Sequence, residues 1–296
     1  MILASFMFAT MGVGIKVASE SFNVGELLFY RGVVSIIFTA AIMRARGIPI
    51  KTPVPAMHAW RTFVGTVSMA AWFYAIAFLP LATAMTLNYM SGVWIAAFLV
   101  GGALVGTNAQ SRAQSQNQGA LVLTVLAAFV GVVMLLRPTI AQNQVFAGLI
   151  GLLSGVGAAL AYLQVTALAR VGEPATRVVF YFALGTTLGG LVSVAYLGIT
   201  PLSKVTLAAA LWIIPIGLLA SVGQWCMTRA YSQGPTLVAA NLQYSGIVFA
   251  AIYGLLLFGD EIPLIGWLGM ALIVASGIAA TMLTHRAIPD NHEEQR

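Results

Sequence analysis

The apolar positions of this chain come in long, nearly unbroken runs, not in the one-faced or alternating patterns of soluble helices and strands. The runs fall at about 1–19, 24–43, 60–79, 81–104, 119–137, 146–169, 177–198, 207–229, 235–258 and 263–283. Most are close to the roughly 20 residues an α-helix needs to cross a hydrocarbon core about 30 Å thick. The pattern predicts an all-α integral membrane protein of about ten transmembrane helices with short polar connections. The stretch from Thr62 to Ser111 carries no charge at all. As a single helix it would be about 75 Å long, so it must turn back, and Leu79-Pro80-Leu81 is the natural break. Beyond the last run, residues 285–296 form a short polar tail that is expected to be disordered.

Composition narrows the picture. Of the 296 residues, 60% are hydrophobic and 7% are charged, against about 25% charged in a soluble domain. Mean hydropathy is +0.94. A soluble surface cannot be built from so few charges, and a disordered chain is excluded by the same values. Ten spans would use roughly 200 residues and leave about 96 for connections. Residues 1–19 lack the basic flank and small-residue cleavage site of a signal peptide and are read as a retained span. That span begins abruptly at Met1, which fits a few residues missing upstream. The single cysteine, Cys226, excludes an intrachain disulfide.

The net charge of +6 would raise nucleic acid as a partner for a soluble protein. Here the basic residues are scattered singly between apolar runs, with no basic stripe. They read better as orientation signals. With ten spans and an inner N-terminus, Arg44, Arg46, Lys51, Arg61, Arg112, Arg170, Arg177, Arg229, Arg286 and Arg296 fall inside. Only Lys16, Arg31, Arg137 and Lys204 fall outside. This asymmetry predicts both termini in the cytoplasm of a bacterial-type inner membrane.

The chain also repeats itself. At an offset of 155, Ala75, Pro80 and Ala84 meet Ala230, Pro235 and Ala239, and Val93 meets Val248. Leu87-Asn88-Tyr89 meets Leu242-Gln243-Tyr244. Phe29-Tyr30 is echoed by Phe180-Tyr181 at a slightly shorter offset. The expected organisation is two five-span halves, 1–138 and 144–284, followed by the tail 285–296. Because five is odd, the second half must be inverted relative to the first. Inverted repeats of this kind place a binding site near the midplane, between the halves.

Several motifs resemble those of the drug/metabolite transporter superfamily, EamA type. They are Lys16 at the end of the first span, Glu26-Leu-Leu-Phe-Tyr-Arg31, the Ala-Phe-Leu-Pro-Leu-Ala-Thr-Ala run at 77–84, Gly131-Val-Val-Met-Leu-Leu-Arg-Pro138, and Phe258-Gly-Asp-Glu261. The resemblance covers nearly the whole chain. It implies a ten-helix secondary transporter of small organic solutes, most often an exporter of amino acids or related metabolites. Import of a cofactor-like compound such as riboflavin or S-adenosylmethionine fits the same resemblance. One departure stands out: the Gly-Glu that usually follows the fourth span is replaced by Gly106-Thr-Asn-Ala-Gln-Ser-Arg112.

Candidate solute-binding residues follow from polarity at depth. Arg31 sits about 10 Å into the second span. Either it holds an anionic group of the solute, or it snorkels out to Glu20 or Glu26. Lys16 lies nearer the rim and carries the same two readings. Asn88 and Tyr89 enter from one face, Gln243 and Tyr244 from the other, so both pairs reach the middle third of the membrane. There they either bind solute or bond helix to helix. Trp94 and Gln224, with Trp72, Trp225 and Tyr162, are weaker candidates, since Trp and Tyr near span ends serve as interfacial anchors. The GxxxG pairs 102/106, 151/155 and 185/189 are packing signals first. Asp260 and Glu261 before Pro263 read as the cap of the last span.

Other chemistries lack their residues. There is no phosphate-binding glycine loop and no metal-ligand cluster, so no cofactor is expected. His58, His285 and His292 are all placed in loops or the tail. No carboxylate lies mid-membrane to relay protons, and no paired Asp or Ser–His constellation suggests an intramembrane enzyme. The expected partners are a small-molecule solute and membrane lipid, not nucleic acid, with a homodimer left open.

Overall fold

The computed structural model describes residues 1–79, 81–105, 109–136, 144–258 and 263–286. All regular structure among them is helical. The first half holds α1 (Ile2–Ala18), α2 (Val24–Ala45), α3 (Pro55–Phe78), α4 (Leu81–Tyr89), α5 (Ser91–Val105) and α6 (Ala109–Leu136). The second holds α7 (Val145–Arg170), α8 (Ala175–Leu197), α9 (Leu207–Gln233), α10 (Thr236–Gln243), α11 (Ser245–Tyr253) and α12 (Leu264–Arg286). A π-helical turn, Gly254–Phe258, extends α11. The pairs α4/α5 and α10/α11 each form one crossing interrupted near its middle, so the helices make ten crossings in two inverted halves. Five of the described helices are long and apolar enough to cross a membrane by length and composition alone: 24–45, 145–170, 175–197, 207–233 and 236–257.

Helix ends follow local signals. Asn23 caps α2 by accepting from the Glu26 amide at 3.0 Å, while Glu26 accepts from the Asn23 amide at 2.9 Å, a reciprocal capping box. At the end of α7, Gly172 has φ +82°, and the Gly172 and Glu173 amides close on the Ala169 and Leu168 carbonyls. That left-handed turn suits glycine and swings Glu173 beneath the bundle. Three boundaries differ from expectation. α12 runs to Arg286, so His285, expected in the polar tail, lies at the end of a helix. α3 begins at Pro55, five residues before its apolar run, because proline is well placed in a first helical turn. α6 begins ten residues before its run, at Ala109. Pro80, Gly106, Arg137, Asp260, Glu261 and the tail from residue 287 lie outside the described residues. The hairpin proline, the acidic cap of the last span and His292 therefore carry no structural description.

The helix pairings are symmetric under exchange of the halves. The largest interfaces are α2 with α8, α3 with α7, α6 with α12 and α1 with α9. Exchanging first-half for second-half spans maps α3–α7 onto α1–α9 and leaves the other two unchanged. Small residues set the spacing. A side chain on Gly190 would collide with the Phe29 backbone, and one on Gly32 with the Thr187 backbone, so α2 and α8 pack backbone to backbone. Gly155 faces the Leu87 carbonyl in the same way, and Gly185 and Gly189 face Thr62 and Thr66. Reciprocally, the Tyr89 hydroxyl lies over Gly246 and the Tyr244 hydroxyl over Gly92.

The polarity is reversed relative to a soluble protein. Phe63, Val67, Leu153, Leu188, Val192 and Leu211 are exposed, whereas Ser5, Ser35, Ser68, Asn88, Ser154, Thr186, Ser221, Gln224 and Gln243 are buried. Apolar side chains face the place of lipid, and polar ones hydrogen-bond between helices, as a hydrocarbon solvent requires.

Candidate functional site

A cavity lies where the two halves meet. Its volume is about 50 Å³, enough for a few waters, each of which needs about 10–15 Å³ on this measure. α3 contributes Arg61, Gly65, Ser68, Met69 and Trp72; α4 contributes Asn88 and Tyr89. From the second half come Tyr162 on α7, Phe182 on α8, Gln224 on α9 and Gln243 on α10. Phe8 of α1 completes the wall.

Both side-chain amides are hydrogen-bonded. Asn88 Nδ2 donates to Ser154 Oγ at 3.1 Å, across the α4–α7 contact. On the other side, Gln243 Nε2 donates to Ser91 Oγ at 3.5 Å, while the Gln243 backbone carbonyl accepts from Ser5 Oγ at 3.1 Å across the α1–α10 contact. Tyr231 donates to Gln243 Oε1 at 3.0 Å and stacks on Tyr162 with centroids 5.1 Å apart. Ser68 donates to the Ser154 carbonyl at 2.8 Å and ties α3 to α7. The amides are thus fixed in orientation before any solute arrives, which favours a site over a slippery packing surface.

Of the residues predicted for binding, Asn88, Tyr89, Gln224 and Gln243 line this cavity, as do the weaker candidates Trp72 and Tyr162. Arg31 is 2% exposed and lies one layer back, its Cζ 5.6 Å from the centroid of the cavity-lining Phe182 ring. It does not pair with Glu26, which accepts instead from the Thr200 amide at 2.8 Å and the Thr200 hydroxyl at 2.7 Å. Lys16 points elsewhere: its Nζ donates to the carbonyls of Ile76 at 3.1 Å and Leu79 at 3.4 Å, at the end of α3. Tyr244 packs over Gly92 with its ring 6.4 Å from that of Tyr89, outside the cavity wall. Trp94 stacks on Phe98. Trp225 lies beside Arg46 and Arg229, as an interfacial anchor does.

Two expectations are corrected. Arg61 is no loop charge: because α3 starts at Pro55, Arg61 lies nearly two turns inside the helix, is 2% exposed, and lines the cavity. His58, expected in a loop, occupies the first turn of α3. Its Nε2 is 3.0 Å from Glu173 Oε2. The Pro53-Val-Pro55 sequence was the available signal for both, since proline at a first helical turn marks a start upstream of the apolar run.

Each end of the bundle is closed by a glutamate. At the end carrying loops 46–54 and 171–174, Glu173 accepts from Thr52 at 2.7 Å, from His58, and from Arg177 NH1 at 3.2 and 3.1 Å. Arg177 Nε also donates to the Pro49 carbonyl at 2.9 Å. Burial opposes the charge on Glu173, yet the bonds from Thr52, His58 and Arg177 outweigh it and hold the carboxyl below its ordinary range. At the opposite end, Glu26 grips Thr200 in the α8–α9 connection. Glu26 opens the second span of its half and Glu173 immediately precedes the second span of the other. Each binds a threonine in the connection after the partner half's second span, so the two closures are counterparts across the repeat.

This geometry defines a class: a multi-pass, all-helical membrane protein with a largely apolar cavity, set with a few polar groups, between inverted halves. The chain belongs to the EamA-like transporter family, whose pattern matches residues 146–282. It is 30% identical over 280 residues to the pseudopaline exporter CntI of Pseudomonas aeruginosa, covering 94% of this chain and 90% of that protein. It is 27% identical over 284 residues to an uncharacterized transporter of Helicobacter pylori, covering 94% and 91% respectively. A riboflavin transporter of Vibrio cholerae is 23% identical over 287 residues, covering 93% and 89%. A solved crystal structure superposes with a TM-score of 0.75 at 19% identity, covering 96% of each chain, and shares the fold.

Proposed function

We propose that this transporter is a secondary exporter of a small organic solute, an amino acid or related metabolite, working by alternating access. The observation that carries the reading is the cavity with Asn88 from the first half and Gln243 from the second. A site built from both halves changes its exposure when one half rocks against the other. The glutamate closures supply the two gates. Releasing Glu26–Thr200 or Glu173–Thr52 alone frees one end of the bundle and widens access to the cavity from that side only. The halves are 1–138 and 144–284, with the polar segment 285–296 following them. The excess of Lys and Arg supports a cytoplasmic location for both termini and for the Glu173 closure, at the inner membrane.

Export draws support from the Pseudomonas relative, whose name is that of an exporter. Import of a cofactor-like metabolite is the second reading, favoured by the Vibrio relative named a riboflavin transporter. The test is counterflow in proteoliposomes of the purified chain, using labelled amino acids and riboflavin. Saturable exchange stimulated by solute on the opposite side, and reduced in Gln243→Leu, supports carriage through this cavity. Non-saturating flux indifferent to solute on the opposite side would refute it.

A further inference from the structure

Two buried charges at the cavity have no counterion among the described residues. Arg31 and Arg61 are each 2% exposed, too deep to snorkel. Neither makes an ion pair among the described residues, and the Nε and NH1 groups of both lack hydrogen-bond acceptors there. Three carboxylates occur among the described residues: Glu20 near the end of α1, Glu26 committed to Thr200, and Glu173 committed to Arg177, Thr52 and His58. Both guanidiniums instead lie over one ring, that of Phe182, with Arg61 Cζ at 3.9 Å and Arg31 Cζ at 5.6 Å from its centroid. The two charged groups are therefore within about 10 Å of each other. A cation–π contact lowers the cost of burying a guanidinium, but it neither cancels the charge nor fills a forked donor. Two buried like charges without counterions are strongly unfavourable, so an uncompensated pair of this kind fits a site whose counterion is the ligand.

We infer that the cavity takes an organic dianion, with one carboxylate-type group on Arg61 and a second engaging Arg31 once the Phe182 ring turns aside. The inference rests on the reading of this cavity as the solute site and names its chemical class. Arg61 already lines the cavity, and a side chain on Gly65 would fall on its NH1, so this glycine leaves the guanidinium room to lie along α3. The unpaired Trp72 Nε1 adds a neutral N–H donor, and the unpaired Gln224 Oε1 accepts from a hydroxyl or amine of the solute. The wall therefore offers one forked cation, one N–H donor and one acceptor, with no carboxylate in it, and a second forked cation stands behind Phe182.

The experiment has a ligand-free arm and a ligand arm. In the first, purified wild type, Arg61→Met and Arg31→Met are melted without solute. An apolar side chain of similar length removes an unpaired buried charge, so both variants should melt above the wild type. A lower midpoint in both would make the arginines structural and overturn the inference. In the second arm, glutarate, succinate and L-malate, each a dianion at neutral pH, are compared with glutaramide, succinamide and putrescine. A dianion at about 100-fold excess over its Kd should raise the wild-type midpoint by roughly 5 °C or more. The amides and the diamine should not, and the shift should vanish in Arg61→Met. No shift with any of the three anions, or an equal shift with the amides, overturns the inference. Proteoliposome flux separates this from the broader reading. Saturable counterflow of a neutral solute untouched by Arg61→Met would sustain transport and refute the dianion. Anion binding without flux would do the reverse.

Discussion

Replacing Glu173 by glutamine tests the closure at the α7–α8 connection. The substitution keeps size and shape but puts an amide where Thr52, His58 and Arg177 all donate. One former acceptor becomes an N–H₂ group facing Arg177 NH1, and the guanidinium loses its counterion. Breaking one side of a buried pair costs about 3–5 kcal/mol. Arg177 keeps the Pro49 carbonyl and sits at the end of the bundle near water, so the lower end, about 3 kcal/mol, is expected. For a chain of this size that corresponds to a fall of roughly 6–12 °C in melting midpoint. The partner variant Arg177→Gln should cost a similar amount, and the double variant less than the sum, because it leaves no orphaned charge. The pH dependence has a fixed sign. The folded-state carboxyl lies below its ordinary value of 4.5, so its contribution is complete above that value. It is lost as pH falls through the lower folded-state value. Melting scanned from pH 7 to 3 should thus show an acid limb that Glu173→Gln flattens. A loss below about 0.5 kcal/mol, or an unchanged acid limb, would refute the reasoning.

Three further outcomes are expected. Gly190→Val, which drives a side chain into the Phe29 backbone, should destabilise by about 1–3 kcal/mol or prevent insertion, as read by yield and melting. Lys16→Met should cost about 1–2 kcal/mol through the lost bonds to the Ile76 and Leu79 carbonyls while leaving the KM of transport unchanged; a raised KM would return Lys16 to the solute site. Gln243→Leu should leave the Tyr231 hydroxyl without its acceptor, weaken solute affinity about tenfold in a binding assay, and destabilise by about 1–3 kcal/mol.

Fold and site were legible to different depths. The ten runs and the Pro80/Pro235, Asn88/Gln243 repeat lie directly in the sequence because a hydrocarbon solvent allows only continuous apolar helices. The same pattern could not show that the fourth and ninth crossings break near Met90 and Tyr244, since both breaks fall inside unbroken apolar runs. That Asn88 and Gln243 meet at an internal cavity was readable because polarity at depth is informative on its own. Arg61 was not, because the apolar run starts at residue 60 while the helix starts at Pro55. A charge at the edge of a run and one nearly two turns inside a helix then look alike. The reach of Lys16 to the end of α3, and of Glu173 to Thr52, depends on which helices become neighbours, and periodicity carries no such information.

The central claim is that solute crosses through this cavity by opening the two glutamate closures in turn. In a Cys226→Ala background, Thr52→Cys and Glu173→Cys can be joined by a short bis-methanethiosulfonate, which links the two thiols through disulfides and holds one closure shut. Joined protein should still bind solute from the Glu26 side, lose counterflow, and recover it when the bridge is reduced. Counterflow that persists with the bridge intact would contradict the account.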